Sequence, residues 1–133
     1  MGEFIAYLDT SEVLPGKLEE LKAAMAGLAA FVEENEPRIL GYTVHFTEDG
    51  AEMSVLHFHE DEDSLMFHLD VAGPKFPPIA PFIRMKSIEI FGDPSEALLA
   101  RSRAKAELLG SGAVIVRGLH AGFARPGKRQ ADS

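Results

Sequence analysis

The chain has 133 residues, no cysteine, no tryptophan and a formal net charge of −8. This length suits one domain that buries its core without disulfides, and the lack of cysteine excludes thiolate metal sites and cysteine nucleophiles. The acidic balance argues against nucleic acid or an anionic membrane as a partner. Residues 23–32, the most apolar run, are too short to span a bilayer, and the N-terminus has no signal-peptide pattern, so we expect a cytoplasmic protein.

The first part of the chain predicts a strand and then a long helix. Residues 3–9 are apolar on both faces, as in a covered strand, and residues 10–14 form the predicted connection. The helix is predicted at residues 15–36, because Pro15 suits a first helical turn and Pro37 forbids continuation. Its apolar positions recur at gaps of three and four residues and make one stripe. They are Leu18, Leu21, Met25, Leu28 and Val32.

Two strands joined by a tight turn are predicted at residues 38–48 and 51–60. Asp49-Gly50 between them is a strong hairpin signal, because glycine accepts a positive φ. Both faces of this pair are largely apolar, unlike an open sheet with one wet face. We therefore expect helices to cover one face and a second subunit or a ligand to cover the other.

A turn at Asp49-Gly50 also fixes which residues of the two strands lie opposite each other. It pairs Tyr42 with His57 and Leu40 with His59, all on one face of the sheet. The same register places His45 on the opposite face. The histidines of the hairpin therefore do not form one cluster.

A second helix is predicted at residues 61–72. Asp61 suits its N-terminus through capping and the helix dipole. The spacing places His68 on the same face as Leu65 and Leu69, so the histidine is expected to point inward.

The next segment, residues 75–82, is rich in proline and carries Phe76 and Phe82. We interpret it as an ordered loop or short helical turn folded over a pocket, because such loops often carry function. Residues 84–92 then predict a further strand.

The remaining residues predict an additional helix and strand. Asp93 is the expected N-cap of a helix that runs to about residue 109, and residues 110–112 read as a turn. Residues 113–123 form the last predicted strand, which either extends its own sheet or crosses to a partner subunit. Residues 124–133 are polar and are expected to be mobile.

The predicted order gives an α+β fold. Residues 3–92 follow the ferredoxin-like β-α-β-β-α-β order, and residues 93–123 append a helix and a strand. Residues 1–123 are thus one domain.

Two sequence features carry a resemblance to a known family. The first helix is followed by G-Y-T-V-H-F, and His68 stands in D-E-D-S-L-M-F-H-L after an acidic helix start. Over residues 3–92 the chain resembles the antibiotic biosynthesis monooxygenase superfamily of dimeric α/β barrels, which includes quinol monooxygenases. The resemblance implies a homodimer whose two sheets face each other, with an apolar pocket between sheet and helices in each subunit. It also implies oxygen chemistry that needs no cofactor, neither a metal nor a flavin.

The chain departs from the family pattern at two positions of one strand. Members often carry a glutamate eleven residues before the helix histidine, and here that position is His57. An aromatic residue often follows two residues later, and here it is His59. The lack of tryptophan argues against haem degradation, which relies on an Asn/Trp/His set in this superfamily.

His68 is the candidate catalytic residue. A neutral imidazole can take the proton of a phenol or quinol at neutral pH, and the resulting anion can react with oxygen. The alternative is a structural histidine that donates a hydrogen bond to the sheet or to a partner subunit.

The candidate substrate-binding residues lie around His68. Tyr42, His57 and His59 can orient a substrate oxygen, although a cross-strand packing pair is an alternative for Tyr42 and His57. Phe76 and Phe82 can line the pocket. A metal site formed by the three histidines is a further alternative, but the strand offers no carboxylate in ligand spacing and we predict no metal.

These residues predict a cofactor-independent monooxygenase that acts on a small aromatic or quinol-type molecule. The expected partners are that small apolar molecule and a second copy of the chain, with no nucleic acid and no membrane. The alternative function is a non-catalytic dimeric barrel that binds a small apolar ligand.

Overall fold

The computed structural model describes residues 4–125, which form five strands and three α-helices in the predicted order. Residues 126–133, most of the predicted mobile tail, lie outside the described residues. The elements are β1 (Ile5–Val13), α1 (Leu18–Asn35), β2 (Ile39–Phe46), β3 (Glu52–His59), α2 (Glu62–Ala72), two short 3₁₀ helices (Gly73–Lys75 and Pro77–Phe82), β4 (Ile83–Phe91), α3 (Glu96–Leu109) and β5 (Gly110–Arg117). No helix within the described part of the chain is long and apolar enough to cross a membrane.

The strands form one sheet in the order β2-β3-β1-β4-β5. The central strand β1 runs antiparallel to β3 and β4, which confirms the predicted ferredoxin-like α+β core. The appended strand β5 pairs in parallel with β4, so it extends the sheet of its own chain.

The prediction of a turn at residues 110–112 was wrong, because these residues begin β5. A Cβ at Gly110 would collide with the backbone of Met85, and one at Gly112 would collide with that of Lys86. Glycine at both positions therefore allows the two parallel strands to approach closely.

The first strand is longer than predicted. Residues 10–13 continue β1, because they pair with β3 on one side and β4 on the other. The chain then turns at Leu14, where Lys17 N donates to its carbonyl at 3.1 Å and Gly16 adopts φ 77°. This Pro-Gly turn occupies the positions predicted as the first helical turn, so α1 begins at Leu18.

The ends of the appended elements also differ from the prediction. Ser95, not Asp93, caps α3: its side chain accepts a hydrogen bond from Leu98 N at 3.1 Å. Strand β5 ends at Arg117, where its pairing with β4 ends, whereas the prediction extended it to residue 123.

Helices cover one face of the sheet and leave the other face without helices. All three helices lie on one face, and the strand residues that point to it are buried, in strict alternation along β1 and β3. The other face holds partly exposed apolar side chains. They include Ala6, Leu8, Leu56, Phe58 and Ile115. The expectation of helices on one face holds.

Candidate functional site

Five aromatic rings from strands and helices meet beneath the helical layer. The rings of Tyr7 and His57 are 4.3 Å apart between centroids, and those of His57 and His68 are 4.6 Å apart. Tyr42 lies 5.5 Å from His57 and 5.6 Å from His68. His59 is 5.1 Å from His57. We call these residues the ring cluster.

The predicted hairpin register brings part of this cluster together. Tyr42 is opposite His57, as the Asp49-Gly50 turn predicts. The predicted pairing of Leu40 with His59 was wrong: an irregularity in β2 places Ile39 opposite His59. His59 keeps its predicted face because β3 itself is regular.

His68 points inward from α2, as predicted, and is 1% exposed. Its Nδ1 lies 2.9 Å from both carboxylate oxygens of Glu36, a buried residue that follows the last residue of α1. Since a carboxylate only accepts, Nδ1 carries the proton and Nε2 presents a lone pair. That Nε2 is buried and has no hydrogen-bond partner within the described residues.

The position of Glu36 explains why it needs this partner. Its backbone N–H donates to Val32 O at the C-terminal end of α1, where Pro37 prevents another turn. A negative charge at this end of a helix faces the negative end of the helix dipole. The N–H of His68 therefore compensates a carboxylate that is both desolvated and unfavourably placed.

His57 and His59 form a hydrogen-bonded chain that ends at α2. His57 Nδ1 lies 2.8 Å from His59 Nε2, and His59 Nδ1 lies 2.7 Å from Ser64 Oγ. Asp61 caps α2, as predicted, and accepts from Ser64 N at 2.9 Å. Both ring nitrogens of His59 are thus engaged, whereas His57 Nε2 is buried and unpartnered within the described residues.

Burial keeps all three inward histidines neutral at neutral pH. It lowers the pKa of His57 well below the usual value, helped by the nearby His68 and Lys105. Burial and His68 lower the pKa of His59 to about 3. Burial also lowers the pKa of His68, although the hydrogen bond with Glu36 opposes this shift. A neutral His68 can accept a proton at Nε2.

Of the remaining predicted site residues, Tyr42 belongs to the ring cluster and Phe76 borders it. Phe82 lies elsewhere, because it precedes Ile83, which pairs with Val13 at the opposite end of β1 from Tyr7. Burial raises the pKa of Tyr42, so its hydroxyl stays protonated. Phe76 is 7% exposed and its ring lies 6.2 Å from His68. Phe82 packs partly buried against the core at the C-terminal end of the second 3₁₀ helix, where its carbonyl accepts from Leu14 N at 2.9 Å.

Four buried polar residues in or beside the ring cluster were not predicted as site residues from the sequence. Glu36 lies within the helix predicted at residues 15–36, and Tyr7 lies within the apolar strand predicted at residues 3–9. Asp9 is 3% exposed and Lys105 is 8% exposed, with Lys105 Nζ 3.3 Å from Asp9 Oδ2. No local spacing marks these contacts, because Asp9 and Lys105 are 96 residues apart and Glu36 and His68 are 32 apart.

The inward histidines show no metal-ligand geometry within the described residues. Across residues 4–125, no group of three or more histidine or carboxylate side chains is placed to hold a metal ion. The ring packing and the bond between His57 and His59 direct these nitrogens at one another rather than at one point.

Comparison with known proteins supports the fold. No protein-family model matches the sequence, and no curated protein matches it. The structure is similar to that of MupZ from Pseudomonas fluorescens, with a TM-score of 0.72 and 19% identity over 93% of this chain and 96% of that chain.

Two monooxygenase-type structures match the core of the chain. A putative antibiotic biosynthesis monooxygenase from Caulobacter crescentus has a TM-score of 0.61 and 24% identity, covering 71% of this chain and 92% of its own. SnoaB, a cofactor-independent oxygenase from Streptomyces nogalater, has a TM-score of 0.59 and 17% identity, covering 70% of this chain and 95% of its own. The chain therefore has the fold of the antibiotic biosynthesis monooxygenases, as the sequence predicts. The MupZ match covers 93% of this chain, so it extends over the appended helix and strand as well.

Proposed function

We propose that the protein is a cofactor-independent monooxygenase-like enzyme that uses His68 as a general base on a small aromatic or quinol-type substrate. One observation carries this proposal: His68 Nδ1 is held by Glu36 at 2.9 Å, while Nε2 is buried and unpartnered within the described residues. A carboxylate that fixes the tautomer and orientation of an imidazole is a recurrent arrangement for general-base catalysis.

The chemistry begins with a proton transfer to His68. Nε2 takes the proton of an acidic O–H or C–H group, and Glu36 stabilises the imidazolium that forms. The electron-rich substrate anion then reduces oxygen. One oxygen atom enters the product and the other leaves as water, and all the electrons come from the substrate. No step needs a cofactor.

The neighbouring residues have distinct roles in this proposal. Tyr42 and His57 border His68 and can hydrogen-bond a substrate oxygen. His59, with both nitrogens engaged, orients His57. Phe76, whose ring lies 6.2 Å from that of His68, supplies the apolar wall.

Substrate entry requires a movement, because His68 is 1% exposed. Phe76 packs on its ring from the segment of two short 3₁₀ helices, Gly73–Lys75 and Pro77–Phe82. Such helices have poorer hydrogen-bond geometry than α-helices and are easier to displace. We propose that this segment opens to admit the substrate.

Oxygen consumption tests the enzymatic proposal. The purified protein is mixed with a panel of quinols and anthrones, and we expect turnover that His68→Gln reduces by about 10²–10⁴-fold, the usual contribution of a general base. The matched control is His120→Gln, because this histidine is exposed in the segment that follows β5. Equal rates for the wild type and His68→Gln would contradict the role of His68.

A non-catalytic ligand-binding barrel is the second candidate. The observation that favours it is the nearly complete burial of His57, His59 and His68, which suits a structural polar core. Under this alternative, the same aromatic compounds bind without oxygen uptake, which calorimetry and an oxygen electrode together detect.

We also propose a homodimer formed through the helix-free face of the sheet. This face carries partly exposed apolar residues that include Leu8, Leu56 and Phe58 on two adjacent strands. Contiguous apolar surface of this kind commonly marks a protein interface.

A further inference from the structure

A second polar group borders the ring cluster on the side of the appended helix α3. Lys105 and Ser102 lie one turn apart on α3 and reach Tyr7 and Asp9 on β1. Ser102 and Tyr7 are fully buried, and Lys105 is 8% exposed. Lys105 Nζ lies 4.8 Å from the centroid of the Tyr7 ring and 4.6 Å from that of Phe76.

This group contains buried hydrogen-bond donors that have no acceptor within the described residues. An ammonium has three N–H donors, and one N–H of Lys105 donates to Asp9 Oδ2 at 3.3 Å. The hydroxyls of Tyr7 and Ser102 are buried without a hydrogen-bond partner within the described residues. Buried polar groups in native proteins are almost always satisfied, so these unpaired donors point to an acceptor.

The protonation states suit an anionic acceptor. Burial raises the pKa of Tyr7, so its phenol remains a donor at neutral pH. Burial alone would lower the pKa of Lys105, but Tyr7 and Asp9 outweigh this effect and the pKa is raised. Lys105 therefore keeps its positive charge although it is buried.

We propose that Tyr7 and Lys105 form an oxyanion-binding site, which takes the oxygen on which negative charge collects when a conjugated substrate loses a proton. His57 separates this site from the His68 base, since its ring packs at 4.3 Å on Tyr7 and at 4.6 Å on His68. The coupling to His68 rests on the proposed function, whereas the binding of an anionic oxygen stands on the geometry at α3.

The two sites then divide one deprotonation between them. His68 Nε2 forms a bond to the proton as the C–H or O–H bond of the substrate breaks. The electron pair of that bond stays on the conjugated substrate, and the oxygen that bears the charge accepts hydrogen bonds from Tyr7 and Lys105. The substrate is thus a conjugated molecule whose acidic atom and charge-bearing oxygen lie apart.

Binding of 4-nitrophenol tests the site without turnover, because its phenolate form absorbs visible light and its phenol form does not. The titration is made slightly below the pKa of the free ligand, so that the free ligand is mostly phenol. We expect the wild type to bind it as phenolate. Tyr7→Phe should weaken phenolate binding by about 10-fold, the usual effect of one hydrogen bond to a charged group.

Variants separate this site from a structural ion pair and from the catalytic proposal. Tyr7→Phe removes an unpartnered hydroxyl and keeps the ring, so it should fold. Lys105→Met should abolish phenolate binding, with the exposed Lys86→Met as its matched control. If Lys105→Met does not fold, Tyr7→Phe decides. His68→Gln should lose oxygen turnover and keep phenolate binding, which keeps a failure of the enzymatic proposal distinct from a failure of this site.

Three results would overturn the oxyanion site: no binding of 4-nitrophenol to the wild type, binding only as neutral phenol, or unchanged phenolate affinity in Tyr7→Phe. A purely structural pair between Lys105 and Asp9 gives the last of these.

Discussion

Replacing His68 with alanine should destabilise the protein strongly, because it leaves the buried carboxylate of Glu36 without its hydrogen-bond donor. That carboxylate is 3% exposed and lies at the C-terminal end of α1, and His68 donates to it at 2.9 Å. His68 is neutral and acts as a hydrogen-bond donor, and leaving a buried charge without its partner typically costs about 3–5 kcal/mol. Small domains have about 5–15 kcal/mol of total stability, so the loss is easily measured.

A second substitution isolates the charge from the lost packing. Glu36→Gln keeps the shape of the side chain and removes its charge, so the double variant leaves a buried neutral amide, which costs about 1–3 kcal/mol when unsatisfied. We therefore expect the double variant to be more stable than His68→Ala alone by about 2 kcal/mol, the difference between these two costs. The cavity left by the imidazole is common to both and cancels.

Urea unfolding at pH 7.5, followed by far-ultraviolet circular dichroism, measures the free energies of unfolding of the wild type, His68→Ala and the double variant. A loss below about 1 kcal/mol for His68→Ala, close to that of an ordinary surface substitution, would refute the buried pair. So would a double variant no more stable than His68→Ala. If His68→Ala does not fold, His68→Gln, whose amide N–H can still donate to Glu36, should fold and serves as the folded reference.

Three further predictions concern pH, assembly and the appended strand. Unfolded histidines take up protons below pH about 6.5 while the buried ones do not, so the stability of the protein should fall as pH drops from about 6.5 towards 3. His59→Gln should flatten this slope by up to about 1.4 kcal/mol per pH unit in urea titrations, and His120→Gln, the exposed control, should not. An equal effect of both variants would contradict the burial argument. Leu56→Glu on the helix-free face should convert a dimer to monomers in analytical ultracentrifugation, whereas a persistent dimer would place the interface elsewhere. Gly112→Ala should lower the melting temperature, because its Cβ would meet the backbone of β4, and an unchanged melting temperature would contradict the close approach.

The fold could be predicted from the sequence because its local signals agree with one another. Asp49-Gly50 sets the hairpin, Asp61 caps α2, and the apolar stripe of α1 fixes its buried face. These signals also placed Tyr42 opposite His57 and turned His68 inward. Each depends only on neighbours along one element or across one turn.

Element boundaries failed where local chemistry suited two structures. Proline is common both in the first turn of a helix and in a β-turn, so Pro15 is compatible with either. Gly16, with φ 77°, favours the β-turn. Asp93 and Ser95 both suit an N-cap, and Ser95 was stabilised by Glu62, which accepts from its backbone N at 2.8 Å. Gly110 and Gly112 are compatible with a turn as well as with two closely spaced strands. The backbone of β4 lies so close to them that they form part of strand β5.

The charged residues of the site could not be predicted for a different reason. Sequence reasoning sends glutamate, aspartate and lysine to the surface, because an unpaired charge is costly to bury. Glu36 and Lys105 can be buried because partners that are distant in sequence compensate their charges. His68 contacts Glu36, and Asp9 contacts Lys105. The one local sign was a glutamate immediately before the proline that ends α1.

Stability alone does not account for these buried charges. Replacing a buried ion pair with well-packed apolar residues is often neutral or stabilising, so folding does not require a lysine at position 105. The charge of Lys105 lowers the pKa of both His57 and His68. Because Lys105 lies on α3, the appended helix helps to keep the histidines of the ferredoxin-like core neutral. A helix outside the core fold thus influences the protonation of histidines within it.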